Sequence, residues 1–292
     1  MSLRKVFKNR LKEREPLKEH TTFKIGGQAQ YWYEPRDRKE LAGFLKSKAF
    51  TLPVFVIGAG SNLLVREGLI KKVFIHLNAP DFTKIEVRKD KVFVGAGLKI
   101  GRLISVLSSK NIGGYEFLAG IPGTVGGALA MNAGSSGEIK DIVIEIEVLD
   151  KSGRRSILKR RDIDFSYRNS SLRQYIIVSA VLKLSIMDKA GVQERIKNIL
   201  KKRIVAQDWQ YPSAGSFFKN PDPKHPAGLL IDQCRLKGLN VGAAQVSEKH
   251  ANFIINVKDA KSSDVIKLME IIKERVYNQF KIKLSPEVEV VS

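Results

Sequence analysis

"GIPGTVGGALAMNAG", Gly120 to Gly134, is the longest nearly uncharged run in a very basic chain, and five of its fifteen residues are glycine. Glycine has no Cβ, so a backbone built from it can pass close to whatever lies beside it. That neighbour is either another stretch of backbone or a flat or phosphorylated ligand, and composition leaves both open. The run has no Gly-Lys-Ser/Thr ending, which excludes a Walker-type phosphate loop. A second glycine segment, "GAGSNLL" (Gly58–Leu64), follows "LPVFVI", which reads as a buried strand. It opens like G-x-G-x-x-G, but Leu63 stands at the third glycine position and strand-like sequence follows. A Rossmann dinucleotide turn needs a helix there, so that fold is excluded. Bare amides flanked by Ser61 and Asn62 can still face a pyrophosphate, and a tight strand turn is the alternative.

The rest of the chain sets the frame for these two segments. It has 292 residues, 43% hydrophobic and 28% charged, enough for two domains with real cores. No apolar run is long enough to cross a membrane, because Pro122 and the glycines interrupt the best candidate. The basic N-terminus has no apolar stretch after it, so a secretory signal is not expected. Cys234 is the single cysteine, which excludes an internal disulfide and fits a cytoplasmic location. The four histidines, His20, His76, His225 and His250, are scattered without ligand spacing, so no metal site is expected.

The net charge of +21 raises the possibility of a nucleic-acid partner. The charge is dispersed, with concentrations at "KSGRRSILKRR" (Lys151–Arg161) and Arg195–Arg203, and no zinc-finger, RNP or helix-turn-helix pattern accompanies it.

Periodicity predicts an α+β protein. Residues 1–19 read as a short helix or arm, and "AQYWYEP" (Ala29–Pro35) as a strand. A helix capped by Asp37 follows, then strands through Leu77. Two alternating runs about Arg88–Lys91 predict a hairpin. A helix through Leu103 and Leu107 is expected to close on Gly113 and Gly114. "DIVIEIEVLDKSGRRSIL" predicts another hairpin, Gln174–Ile186 a strand, and "VQERIKNILKKRIVAQ" a connecting basic helix. Ala251–Val257 reads as a strand and Ser262–Phe280 as an amphipathic helix. No hydrolase elbow or metal-ligand pattern is present, so chemistry is expected to belong to an organic cofactor. Arg168 in "FSYRNSS", Ser216 in "SAGSFFKNP" and Glu287 in "LSPEVEVV" each read singly as a surface charge, a turn residue or an edge-strand residue.

In order along the chain, "TTFKIGG", "GAGSNLLV", "AGIPGTVGGALAMNAG", "SYRNSS", "GSFFKNP", "AGLLIDQCRLKG", "VSEKHANFIIN" and "PEV" resemble the UDP-N-acetylenolpyruvoylglucosamine reductase family. The resemblance covers roughly residues 17–291. It implies a two-lobed FAD-binding domain of the vanillyl-alcohol oxidase type followed by a smaller α+β substrate domain. The expected boundaries are 1–80 and 81–190 for the two lobes and 191–292 for the connector helix and substrate domain. FAD would be held by Gly58, Ala59, Gly60, Ser61, Asn62 and Leu63, and by Gly120, Ile121, Pro122, Gly123, Thr124, Gly126, Gly127, Ala128, Asn132 and Gly134.

The implied reaction reduces FAD with NADPH, then reduces the enolpyruvyl ether of UDP-N-acetylglucosamine to UDP-N-acetylmuramate for peptidoglycan. That would place the chain in cell-wall synthesis, cell shape and cell division. Hydride from flavin N5 would leave charge on the enolpyruvyl carboxylate, which suits the fork of Arg168. Glu287 would help only when protonated, so a raised pKa is expected there. Ser216 would donate the proton. Lys219, Asn220 and His250 would contact the substrate, and Glu289 is the rival of Glu287. The 48 positions between Arg168 and Ser216 leave little room for an inserted tyrosine loop, which points to a shorter subclass. Ser135 and Ser136 depart from the family's pattern. Two other readings stand beside this one: a flavin oxidase on the same scaffold, and a colourless basic nucleic-acid-binding protein.

Overall fold

The computed structural model describes residues 7, 10–47, 51–183, 185–186 and 189–292. By contact density the chain divides into two units drawn from interleaved segments. The first comprises Met1–Glu13, Tyr31–Ala59 and Lys72–Arg203, and the second Arg14–Gln30, Gly60–Lys71 and Ile204–Ser292.

The first unit is organised on a five-stranded antiparallel sheet. Its order is Arg155–Lys159, Val143–Leu149, Ile176–Lys183, Lys91–Gly95 and Ile85–Arg88. The expected hairpin is present, with Arg88 opposite Lys91 and Lys89 turning at a φ of +49°. The central strand Ile176–Lys183 is apolar on both faces, as a strand covered on both sides must be. The helix Ile100–Ser109 buries Leu103, Ile104 and Leu107, the i, i+1, i+4 stripe of a one-faced helix. It ends on Asn111 at a φ of +58°, not on the glycines expected to close it, because asparagine also tolerates the left-handed conformation. Asp37 caps the helix Arg38–Lys46 by accepting from the Glu40 amide, as its sequence indicated.

Two other expectations change. Leu11–Pro16 is a strand, and most of the arm before it lies outside the described residues. Val54–Ile57 forms a parallel pair with Val73–His76, but Val54 and Val56 are 38% and 37% exposed, so this strand is half-open.

The second unit has a four-stranded antiparallel sheet in the order Ser213–Ser216, Phe253–Asn256, Ala244–Val246 and Asn240–Val241. The helix Ser262–Phe280, at its predicted bounds, buries Val265, Leu268, Met269, Ile272 and Val276 in this unit's own core. A short parallel pair joins Leu63–Val65 to Glu289–Val291, so the closing strand is three residues long. Among the described residues, no helix is long and apolar enough to cross a membrane.

Candidate active site

In the first unit the two glycine motifs meet. A Cβ added to Gly58 would lie 2.5 Å from Thr124 Oγ1, inside any real contact, so the close approach requires glycine. Thr124 caps the short helix Val125–Ala130, its hydroxyl accepting from the Gly127 amide at 3.3 Å. The start of that helix is stitched to the sheet end, with Val125 N–H donating to Leu98 O at 2.9 Å and Gly126 N–H to Ala96 O at 2.7 Å. A Cβ on Gly126 would press to 3.0 Å on Ala96 Cβ. Gly127 and Pro122 stay exposed, and no ionisable side chain lies within Gly120–Gly134.

The "SYRNSS" loop is tied to the same segment. Arg168 Nη1 donates to Gly134 O at 2.9 Å, and Ser170 Oγ to Leu129 O and Ala130 O, each at 3.0 Å. The Asn132 carboxamide is committed to backbone at both ends, donating to Ser166 O at 3.1 Å and accepting from Lys140 N–H at 3.4 Å. Arg168 itself adopts a φ of +53°, a conformation disfavoured for a side chain of this size. Ser135 donates to Phe117 O at 3.3 Å, which gives that departure from the family pattern a local structural partner.

Arg203 is a residue that the sequence reading left in the connector helix. Its Nη1 donates to Gly120 O at 3.1 Å, at the other end of the glycine segment from Arg168. Burial, then the charge of Arg168, push its guanidinium below the usual arginine range. The signal for it was only its place in a basic run.

In the second unit, Gly60 turns at a φ of +60°, and a Cβ there would fall 2.1 Å from His20 O. Asn62, expected at a cofactor, holds the Glu287 region: its Nδ2 donates to Glu287 O at 3.0 Å, and its own carbonyl accepts from Glu289 N–H at 3.0 Å. Leu63 begins the strand that pairs with Glu289–Val291. Glu287 precedes that strand, which begins at its rival Glu289.

Ser216 and Glu287 are brought together through the residue between them, because Glu287 N–H donates to Phe217 O at 2.8 Å. Lys219 N–H donates to Ser285 O at 2.9 Å, extending the pairing. Asn220 Oδ1 accepts from Ala227 N–H at 3.0 Å at the start of the helix Ala227–Gln233. His250 accepts from Asn252 N–H through Nδ1 at 3.2 Å, which leaves Nε2 as the protonated nitrogen of the neutral ring. Burial holds its pKa below the usual histidine value and favours that neutral ring.

An uncharged open backbone, narrowed where glycine alone fits and joined to an α+β scaffold, suits a flat, polyanionic dinucleotide cofactor. Residues 29–158 match the family model described as "FAD binding domain", which puts the protein in the FAD-binding class. Residues 207–291 match the model for the C-terminal domain of UDP-N-acetylenolpyruvoylglucosamine reductase. The chain is 43% identical to the enzyme of that name from Moorella thermoacetica, over 94% of this chain and 91% of that one. It is 38% identical to the Clostridium tetani enzyme, over 96% and 92%. The crystal structure of UDP-N-acetylenolpyruvylglucosamine reductase (MurB) from Thermus caldophilus superposes with a TM-score of 0.83 at 34% identity, covering 95% of this chain and 97% of that one. The chain belongs to the UDP-N-acetylenolpyruvoylglucosamine reductase family.

Proposed function

We propose that the chain uses NADPH to reduce the enolpyruvyl ether of UDP-N-acetylglucosamine, giving UDP-N-acetylmuramate, and that Arg168, Ser216 and Glu287 carry the chemistry. When bound, FAD would supply the hydride chemistry, with NADPH as the source of the reducing equivalents. Hydride addition leaves a dianionic enolate that must be stabilised and then protonated.

Arg168 offers a planar, permanently charged fork to the substrate carboxylate, and its bond to Gly134 O limits how far that fork can swing. Ser216 delivers a proton to the carbanion, a base strong enough to take it from a hydroxyl. Glu287 stabilises the enolate in its protonated form, since an ionised carboxylate would repel it. Lys219, Asn220 and His250 bind the nucleotide sugar, and the neutral His250 offers its Nε2–H as a donor. The glycine residues of both motifs hold FAD.

The observation that carries this reading is the 2.8 Å bond from Glu287 N–H to Phe217 O. It fixes a proton-donor candidate and an acid candidate, 71 residues apart in the chain, on neighbouring backbone. Lobes 1–80 and 81–190 with a substrate domain 191–292, membership of the shorter subclass, a cytoplasmic location and a part in cell shape and division go with this proposal. Matches at 29–158 and 207–291 support the order of cofactor region before substrate region.

The test separates the two half-reactions by rapid mixing. Ser216→Ala is expected to keep its flavin and its bleaching by NADPH, while reoxidation by UDP-N-acetylenolpyruvoylglucosamine slows on the order of 10³-fold. Normal reoxidation would remove Ser216 from the mechanism. Absence of any flavin absorbance would return the chain to the nucleic-acid reading, and flavin without response to the UDP-linked substrate to the oxidase reading.

A further inference from the structure

We propose that Asn252 is a positioning residue for the Ser216–Glu287 pair, its carboxamide fixing the backbone that aims the Ser216 hydroxyl. This rests on the reading of Ser216 as proton donor. Ser216 sits at an irregularity in its ladder. Ser213 is opposite Ile255 and Ser216 opposite Phe253, three steps on one strand against two on the other. Gly215 absorbs the extra residue at a φ of +76°. A bulge re-aims the side chain beside it, but it also interrupts the ladder bonds that would hold that aim.

Asn252 supplies the missing restraint from the partner strand's entry. Its Nδ2 donates to Phe218 O at 2.8 Å, and its Oδ1 accepts from Phe218 N–H at 2.9 Å. Its own carbonyl accepts from Phe217 N–H at 2.7 Å. Three bonds therefore hold the two residues that follow Ser216. Phe217 O is the acceptor for Glu287 N–H, so the same short stretch sets both candidate groups.

Only a carboxamide of this length fits the task. It donates and accepts at once, whereas an ionised aspartate cannot donate to Phe218 O and glutamine is one methylene too long. Asn252 is 4% exposed, so it acts through backbone and not by touching substrate.

Asn256 provides an internal control at the other end of the same strand. It is 5% exposed, and its carboxamide makes the same kind of two-ended clamp, donating to Phe23 O at 3.1 Å and accepting from Ala260 N–H at 2.8 Å. That clamp does not reach the Ser216 segment. A purely structural role would make Asn252 and Asn256 behave alike.

The experiment compares Asn252→Asp, Asn256→Asp and Ser216→Ala as FAD-loaded enzymes under anaerobic conditions. Flavin bleaching by NADPH and reoxidation by UDP-N-acetylenolpyruvoylglucosamine are timed separately. Asn252→Asp should bleach within about twofold of the parent but reoxidise about 10- to 100-fold more slowly, the cost of misplacing a reacting group. Asn256→Asp should lower the melting temperature and leave both half-reactions in step.

If Asn252→Asp slows both half-reactions together, or reoxidation no more than Asn256→Asp does, the proposal is overturned. If Ser216→Ala alone is slow to reoxidise, only the positioning role falls. If Ser216→Ala reoxidises normally, the proton-donor reading fails and the positioning role falls with it. Should Asn252→Asp lose its flavin, Asn252→Ser, which removes the clamp without adding a charge, is judged by the same two rates.

Discussion

The Gly120–Gly134 segment and the Ser213–Asn220 segment are both shaped for close work, but by opposite means. The first is defined by missing atoms: Gly58 approaches Thr124, and Gly126 approaches Ala96, because no Cβ stands in the way. The second is defined by added bonds, from Asn252 to Phe217 and Phe218 and from Glu287 to Phe217. Shape made by absence is sensitive to any enlargement. Shape made by bonds is sensitive to which atom donates.

The largest expected effect tests the first half of that contrast. Gly58→Val places carbon where only 2.5 Å separates the added Cβ from Thr124 Oγ1, and neither strand end nor capped turn can yield cheaply. Purified Gly58→Val is expected to retain little flavin, read from the ratio of visible to ultraviolet absorbance. Gly101, whose Cβ would meet nothing within 4 Å, is the matched control, and Gly101→Ala should bind flavin normally. Full flavin content in Gly58→Val would mean that the two glycine motifs are not a steric unit.

Much of the first region was legible because absence is visible in composition. A run without charge or large side chains announces itself. The second region was legible only as letters. Asn252 stands inside "HANFIIN", yet its partners at Phe217 and Phe218 are 35 and 34 residues away, and no periodicity encodes such a bond. The strand boundary between Glu287 and Glu289 was hidden for a related reason. "PEVEVV" alternates like a strand throughout, but pairing with Leu63–Val65 starts only at Glu289.

The basic stretch Lys151–Arg161 also changes character once its neighbours are known. Arg155 pairs with Glu147 at 2.5 Å, Arg154 with Asp150 at 3.2 Å, and Arg160 donates to Lys140 O at 3.0 Å while lying over the Phe165 ring. Composition counts these as free charge, whereas the fold uses them locally.

The next effect tests the second region. Glu287 N–H and C=O are both fixed, to Phe217 O and by Asn62 Nδ2, so its side chain leaves from a set point. Glu289 begins an edge pair. Glu287→Gln should reduce turnover on the order of 10-fold or more, because an amide donates but is a poorer donor to an enolate than a carboxylic acid, whereas Glu289→Gln should change it less than about twofold. Steady-state kcat with saturating NADPH decides it, and equal losses would dissolve the distinction between the two glutamates.

The smallest effect separates the two regions by their response to acid. The sheet that carries the glycine segment is braced by Arg38, which bonds Asp81 at 2.9 Å and Glu147 at 2.6 Å, with Ser179 and Arg155 completing the Glu147 shell. The bond from Arg38 holds the Asp81 carboxyl down at about 2. Burial pushes Glu147 up, but hydrogen bonds from Arg155 and Ser179 and the Arg38 charge bring it below its ordinary value. A depressed carboxylate stabilises the fold fully above its unfolded pKa and loses that contribution as pH falls through the folded one. For Asp81 the loss begins below about pH 4, and it amounts to about 1 kcal/mol between about pH 6 and about pH 3. Asp81→Asn removes the titrating group, so denaturant unfolding should show a smaller difference between those two pH values than in the parent. The Asn252 carboxamide bonds carry no titrating atom, so Asn252→Ser should leave that difference unchanged. A variant at Asn252 that altered acid sensitivity as much as Asp81→Asn would show that the two regions do not differ in the kind of force that holds them.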